Sequence, residues 1–119
     1  MNGVDIYKEH AVSTQSKGRL IVMLYEGAIK FLKIAIKELD AGNYGEKGKY
    51  INKALDIITE LSAVLDIDSG GEVAMNLRNL YQFMTRRLNE ANIQKDANKI
   101  RDVIKLMEEL NESWKAVAG

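Results

Sequence analysis

The 119-residue sequence contains no proline and no cysteine. Proline is the strongest helix breaker, so its absence favours long, uninterrupted helices and an all-helical chain. Without cysteine there is neither a disulfide framework nor a thiolate metal site, and this composition fits a reducing compartment. A chain of this length is expected to form one domain with a core that needs no covalent staple.

The sequence also lacks an excess of charge of either sign and any long apolar run. It has 17 basic and 17 acidic residues, so it does not show the basic surface that indicates nucleic-acid binding. No stretch approaches 18 consecutive apolar residues, and we therefore expect no membrane insertion. The first five residues lack the basic and apolar regions of a signal peptide.

The single histidine, His10, is poorly placed for catalysis. A catalytic triad needs an oriented imidazole, and a di-iron bundle needs Glu-x-x-His on two helices. A phosphotransfer bundle needs an exposed histidine partway along a helix, whereas His10 lies in a polar N-terminal stretch. We therefore predict a protein that is not an enzyme and binds no metal or cofactor, with phosphotransfer through His10 as a rival hypothesis.

Apolar residues recur at intervals of three and four through four long stretches of the sequence. This spacing predicts helices at about 16–40, 44–66, 70–92 and 96–117. Residues with helix-capping character flank them: Ser16, Gly42, Asn43 with Glu46, Ser69 with Glu72, and Asp96. The short links imply antiparallel neighbours, so residues 16–119 are predicted to form an up-down four-helix bundle. Residues 1–15 are too few to form a stable isolated helix and are predicted to be a flexible, loosely held N-terminal arm.

The first predicted helix has more apolar surface than one neighbour can cover. Its apolar residues span an arc of roughly 260°, whereas a surface helix needs a stripe of a little over 100°. The excess is covered either by the rest of the chain or by a partner helix. The candidate groove residues are Tyr25, Ile29, Leu32, Ile36, Ile58, Leu65, Leu77 and Tyr81, which the sequence does not distinguish from core residues. Ile6 and Tyr7 are candidates for a displaceable N-terminal plug.

Residues 20–32, which read LIVMLYEGAIKFL, resemble the signature of the FliS family of flagellar export chaperones. That signature is a leucine-rich run ending in Met-Leu-Tyr-Asp/Glu-Gly. Residues 53–61 resemble the second helix of the family, and residues 70–92 resemble its third. Trp114 lies where a C-terminal tryptophan is expected, so the resemblance covers nearly the whole chain.

The resemblance implies a cytoplasmic helical bundle that binds the disordered C-terminal segment of flagellin. Such a chaperone keeps flagellin from polymerising prematurely and assists its export by the flagellar type III secretion system. Export-apparatus components or a co-chaperone are further candidate partners. The alternative is a helical adaptor that binds a folded regulatory protein, and competition with a flagellin peptide would distinguish the two.

Overall fold

The computed structural model of the protein describes residues 17–118, which form four helices and no strand. The helices are α1 (Lys17–Asp40), α2 (Tyr44–Ala63), α3 (Ile67–Gln94) and α4 (Ala97–Ala118). The predicted all-α class is therefore confirmed. The predicted N-terminal arm, its plug candidates Ile6 and Tyr7, and His10 lie outside the described residues.

The four helices form a closed ring, because α1 packs against both α2 and α4, and α3 packs against both as well. Neighbouring helices run in opposite directions. The first turn of α1 meets the last turn of α4, where a Cβ built on Gly18 would lie 3.2 Å from Ala118. Between α3 and α4, Arg87 pairs with Asp102 at 2.6 Å and Glu90 pairs with Lys99 at 2.9 Å. This is the predicted up-down arrangement.

Helix α1 contributes more buried residues than any other helix of the bundle. Its fully or almost fully buried residues are Tyr25, Ala28, Ile29, Leu32, Ala35 and Leu39. They join side chains of the other three helices in one core cluster. Gly27 faces α2, and a Cβ at this position would be in ordinary contact with Cδ1 of Ile57, 3.4 Å away. Much of the apolar excess of α1 is therefore used within the bundle.

The α1–α2 connection follows the predicted capping pattern at Gly42, whereas the predicted capping box of Asn43 with Glu46 does not form. Gly42 has a positive φ of 79°, which glycine adopts at little steric cost. Its N–H donates to the carbonyl of Leu39 at 3.0 Å, and the N–H of Asn43 donates to the carbonyl of Glu38 at 2.8 Å. Asn43 occupies the N-cap position of α2, but its side chain donates to the Glu38 carboxylate instead of capping α2.

The α2–α3 connection differs from its prediction. Helix α2 ends at Ala63 and α3 begins at Ile67, three residues earlier than the predicted boundaries of 66 and 70. The N-cap of α3 is Asp66, whose carboxylate accepts from the N–H of Ser69 at 3.1 Å, so Ser69 lies inside the helix. Gly71 then kinks α3 with a φ of 56° and a ψ of −133°. Asp66 acts as the cap because its charged oxygen can reach the first turn.

The start of α4 agrees with its prediction. Oδ1 of Asp96 accepts from the N–H of Asn98 at 2.9 Å, which is the expected N-cap interaction. Over residues 17–118, no helix is long and apolar enough to cross a membrane.

Candidate functional site

An apolar groove runs between the first turns of α3, the end of α2 and the last turns of α4. It consists of two cavities of about 310 Å³ and 270 Å³ that share Val73, Leu77 and Trp114 as lining residues. We name it the Trp114 groove and define it by Leu65, Val73, Leu77, Leu110, Trp114 and Val117. Asp66, Ser69 and Gly70 also line it, so the capped first turn of α3 forms one rim.

The rim of the Trp114 groove exposes large apolar side chains. Val73 is 69% exposed and Val117 is 76% exposed. Val73 precedes Leu77 and Tyr81 at intervals of four residues, so it belongs to the same apolar face of the helix. However, Ala74 is the only buried residue of α3 before Tyr81. The kinked first half of α3 therefore contributes little to the core of residues 17–118 and leaves Val73 exposed on that part of the bundle.

Buried Tyr81 forms the floor of the groove, and buried Tyr25 lies beneath it. Their hydroxyl oxygens, on Tyr25 and Tyr81, are 2.6 Å apart and hydrogen-bonded. The Tyr25 ring also packs against Trp114, with centroids 6.4 Å apart. Burial raises the pKa of both tyrosines, and its effect on Tyr25 is opposed by hydrogen bonds to Tyr81 and Trp114. The hydroxyls thus satisfy each other and remain neutral, so the floor suits an apolar ligand.

The structure brings three of the eight candidate groove residues together in the Trp114 groove, namely Leu65, Leu77 and Tyr81. Tyr25 lies beneath the floor. The other four lie elsewhere. Ile58 lines a cavity of about 310 Å³ between α2 and α3, and Ile29 lines a cavity between α1 and α4. Leu32 is fully buried, and Ile36 is half-buried against the core. A role in ligand binding stays a prediction for each of the eight.

Sequence reasoning missed Val73, Leu110, Trp114 and Val117 as groove residues, because all four fit an apolar helical stripe. A signal was present nearby. The pair Gly70-Gly71 lies at the kink of α3, where the backbone of Gly71 is not helical. A double glycine within a helical pattern indicates a kink, and a kink separates the turns that follow it from the neighbouring helices.

Lys47 is a second unusual residue, at the opposite end of the α2–α3 pair. It is buried, and its Nζ donates to the backbone carbonyl and to Oδ1 of Asn92, at 2.9 Å and 2.6 Å. Burial lowers the pKa of Lys47, and the nearby charge of Lys95 lowers it further. The ammonium satisfies a carbonyl at the end of α3, so its role is structural. Among residues 17–118 no cluster of acidic residues or histidine could hold a metal ion.

Comparison with known proteins identifies the family. The family model "Flagellar protein FliS" matches residues 1–119. The chain belongs to the FliS family. It is similar to the flagellar secretion chaperone FliS of Salmonella typhimurium, with 41% identity over 111 residues that cover 92% of this chain and 82% of that protein.

Two further FliS relatives match over most of their length. The flagellar secretion chaperone FliS of Vibrio cholerae is 36% identical over 112 residues, covering 91% of this chain and 82% of that protein. That of Bacillus subtilis is 30% identical over 114 residues, covering 96% and 84%. The resemblance carried by residues 20–32 is thereby confirmed. Membership of this family supports a role as a flagellar export chaperone, and a chaperone role is not enzymatic.

Proposed function

We propose that this FliS protein binds the disordered C-terminal segment of flagellin in the Trp114 groove. Binding takes place in the cytoplasm, prevents premature polymerisation and keeps flagellin available to the flagellar type III secretion system. The observation that carries this proposal is the open apolar groove, with Val73 and Val117 exposed on either side of Trp114. A family of secretion chaperones needs a surface for an unfolded substrate, and this groove has the required chemistry.

The groove suits a segment that folds as it binds. An amphipathic segment presents apolar anchors at positions i, i+3, i+4 and i+7, which a groove between helices can receive. Ordering the segment costs free energy and limits its affinity, while a large contact surface is still possible. Covering the apolar face of the segment removes the surface that flagellin would use to polymerise, so the chaperone acts by competition.

The residues predicted from sequence take different parts in this proposal. Leu65, Leu77 and Tyr81 contact the segment directly, because they line the groove. Tyr25 supports the floor from below. The remaining four candidates contribute indirectly, because their packing in the core holds the helices in place. They are Ile29, Leu32, Ile36 and Ile58. Ile6 and Tyr7 remain proposed as a plug that flagellin displaces, and export-apparatus components or a co-chaperone as the recipients of the complex.

Calorimetric titration with the C-terminal segment of the cognate flagellin, followed in parallel by circular dichroism, tests the proposal. We expect saturable binding with more helix than the sum of the separate components. The paired change Val73→Gln with Val117→Gln should weaken binding at least tenfold. The matched control is Met23→Gln with Ile93→Gln, at positions 66% and 83% exposed and away from the groove, which should leave binding unchanged.

Two results would contradict the proposal. Absence of binding by the folded protein would leave the alternative of an adaptor for a folded regulatory partner. An equal loss of affinity in the groove variant and the control variant would show that flagellin binds elsewhere on the bundle.

A further inference from the structure

A second groove lies on the other flank of α4, between α4 and α1. Its volume is about 550 Å³, and it shares no lining residue with the Trp114 groove. Ile29, Ile34 and Asn111 line it together with charged residues of both helices. We name it the α1–α4 groove.

Asn111 is an unusual residue for this position. It continues the buried stripe of α4 that contains Ile104 and Met107, and only 3% of it is exposed. Its Oδ1 is buried and has no hydrogen-bond partner within residues 17–118. An unsatisfied buried oxygen costs free energy, which a leucine at this position would avoid. In helical assemblies, a single polar residue in an apolar stripe fixes the register and selects the partner.

The two walls of the α1–α4 groove carry opposite charges. The α1 wall bears Lys30, Lys33 and Lys37, spaced by three and four residues, and the α4 wall bears Glu108 and Glu112. At one end of the groove Glu26 on α1 and Lys115 on α4 reverse these signs. The groove therefore offers a basic side and an acidic side along most of its length. This pattern does not suit an anionic membrane or nucleic acid, because the glutamates would repel either one.

We propose that the α1–α4 groove binds an amphipathic helix of a partner protein that has one acidic flank and one basic flank. The acidic flank lies along the lysines of α1 and the basic flank along the glutamates of α4. The apolar stripe of this helix covers Ile29 and Ile34, and a polar side chain within the stripe donates to Oδ1 of Asn111, whose amide turns toward the groove when the helix binds. From Glu26 to Lys37 the wall measures about 16 Å, so the site accommodates roughly three helical turns.

One ion pair between the two walls must open for the helix to enter. Nζ of Lys33 is 3.6 Å from a carboxylate oxygen of Glu108, and both side chains are more than half exposed. Exposed pairs of this kind are weak and screened by salt. The pair therefore hinders binding little, and each partner can re-pair with an opposite charge on the incoming helix.

This inference does not depend on the proposed function. Because the two grooves have no residue in common, a flagellin segment in the Trp114 groove and a partner helix in the α1–α4 groove can be bound together. The chaperone would then join its substrate to a second protein without competition between them.

Three hydrocarbon-stapled helical peptides of 14 residues provide the test with the full chain. All three carry a leucine and isoleucine stripe with one central glutamine. The first has one glutamate flank and one lysine flank, the second has lysine on both flanks, and the third has glutamate on both. By fluorescence anisotropy we expect the mixed peptide to bind at least fivefold tighter than either of the others.

Charge reversal on the α1 wall sharpens the test. The variant Lys30→Glu with Lys37→Glu makes both walls acidic, so it should prefer the all-lysine peptide at least fivefold over the mixed one. The matched control, Lys49→Glu with Arg86→Glu, changes the net charge equally at exposed positions outside the groove. It should retain the preference of the original protein for the mixed peptide.

A second variant separates recognition by Asn111 from a structural role. Asn111→Leu should leave thermal stability equal or higher, because it removes an unsatisfied buried group. The original protein should prefer the mixed peptide with central glutamine about fivefold over the same peptide with leucine there. The variant should lose this preference, whereas an asparagine of purely structural importance would leave it unchanged.

The following outcomes would overturn the proposal. The three peptides could bind equally, or none could bind to the folded protein. If the protein dimerises and the variant Lys30→Glu with Lys37→Glu abolishes the dimer, the groove binds a second copy of this chain. Loss of flagellin-segment binding in the same variant would make the groove part of the substrate site. Intact flagellin binding with no peptide binding would reject this inference alone and leave the proposed function standing.

Discussion

The two halves of α3 follow the same apolar spacing but have different surroundings. The second half buries Tyr81, Met84 and Leu88 in the core, whereas the first half buries only Ala74 and exposes Val73. The kink at Gly71 and the open apolar groove both belong to the first half. One helix thus stabilises the bundle along half of its length and leaves an apolar face exposed along the other half. The comparison shows that an apolar stripe stays exposed where none of the helices within residues 17–118 covers it.

Truncation of a residue in the buried half should give the largest effect on stability. Leu88 is fully buried, so Leu88→Ala should lower the free energy of unfolding by about 2–5 kcal/mol through lost burial and the cavity left behind. Val73→Ala in the open half should change it by less than about 0.5 kcal/mol. Urea denaturation followed by circular dichroism measures both values. Similar losses for the two variants would contradict the division of α3 into two functional halves.

Loss of the hydrogen bond between Tyr25 and Tyr81 should give the next largest effect on stability. Tyr81 lies where the two halves of α3 meet. Tyr81→Phe leaves the buried hydroxyl of Tyr25 without its partner, which should cost about 1–3 kcal/mol. The double variant Tyr25→Phe with Tyr81→Phe removes both hydroxyls and should recover most of that loss. A double-mutant cycle by thermal unfolding measures the coupling. Additive losses would mean that the hydrogen bond contributes nothing to the floor of the groove.

Changing the kink should have an effect on stability of comparable size, and this effect should be confined to the open half of α3. Gly71 has a positive φ, and a Cβ added there meets no atom within 4 Å, so Gly71→Ala tests backbone strain without a steric clash. We expect a cost of about 1–3 kcal/mol and weaker binding of the flagellin segment. Gly45→Ala, also in open space but in a helical turn, is the control and should stabilise slightly. Hydrogen exchange should show the loss of protection in the first turns of α3 and not in its second half.

The smallest effect on stability should come from Asp66, which caps the first turn of α3, and this effect should depend on pH. The hydrogen bonds that Asp66 accepts from Ser69 lower the pKa of the Asp66 carboxyl below its usual value. A lowered folded-state pKa stabilises the fold above the unfolded pKa of about 4, and this stabilisation is lost as the pH falls through the folded-state pKa. Asp66→Asn should therefore be less stable than the original protein at pH 6 and should approach it in stability below pH 4. Thermal unfolding from pH 6 to pH 2 measures this difference, and a constant difference would mean that Asp66 does not act through its charge.

The number and extent of the helices could be predicted because apolar spacing and capping residues are local features. Gly42 and Asp96 act as their positions indicated. The α2–α3 boundary could not be predicted correctly, since Asp66 and Ser69 are both good caps and the choice between them depends on the packing of the first turn.

The location of the groove depends on contacts that the spacing of one helix does not reveal. Periodicity shows that Tyr25 and Val73 both belong to apolar faces, but not that Trp114 and Tyr81 pack against Tyr25 while Val73 remains exposed. Likewise, Asn111 is one polar residue at the edge of an apolar stripe in the sequence. Its burial without a partner becomes visible only once α1 lies beside α4.

The Lys47–Asn92 interaction also holds one end of α3 in place. It fastens the last turns of α3 to the first turns of α2, while the far end of α3 borders the Trp114 groove. Val73 is nineteen residues from Asn92 along the sequence, which corresponds to a lever arm of roughly 28 Å. A pivot of α3 by roughly 5° about this fixed end would move Val73 by roughly 2.5 Å over that length. A change of angle that barely disturbs the packing around Leu88 would thus alter the width of the groove by more than the radius of a methyl group.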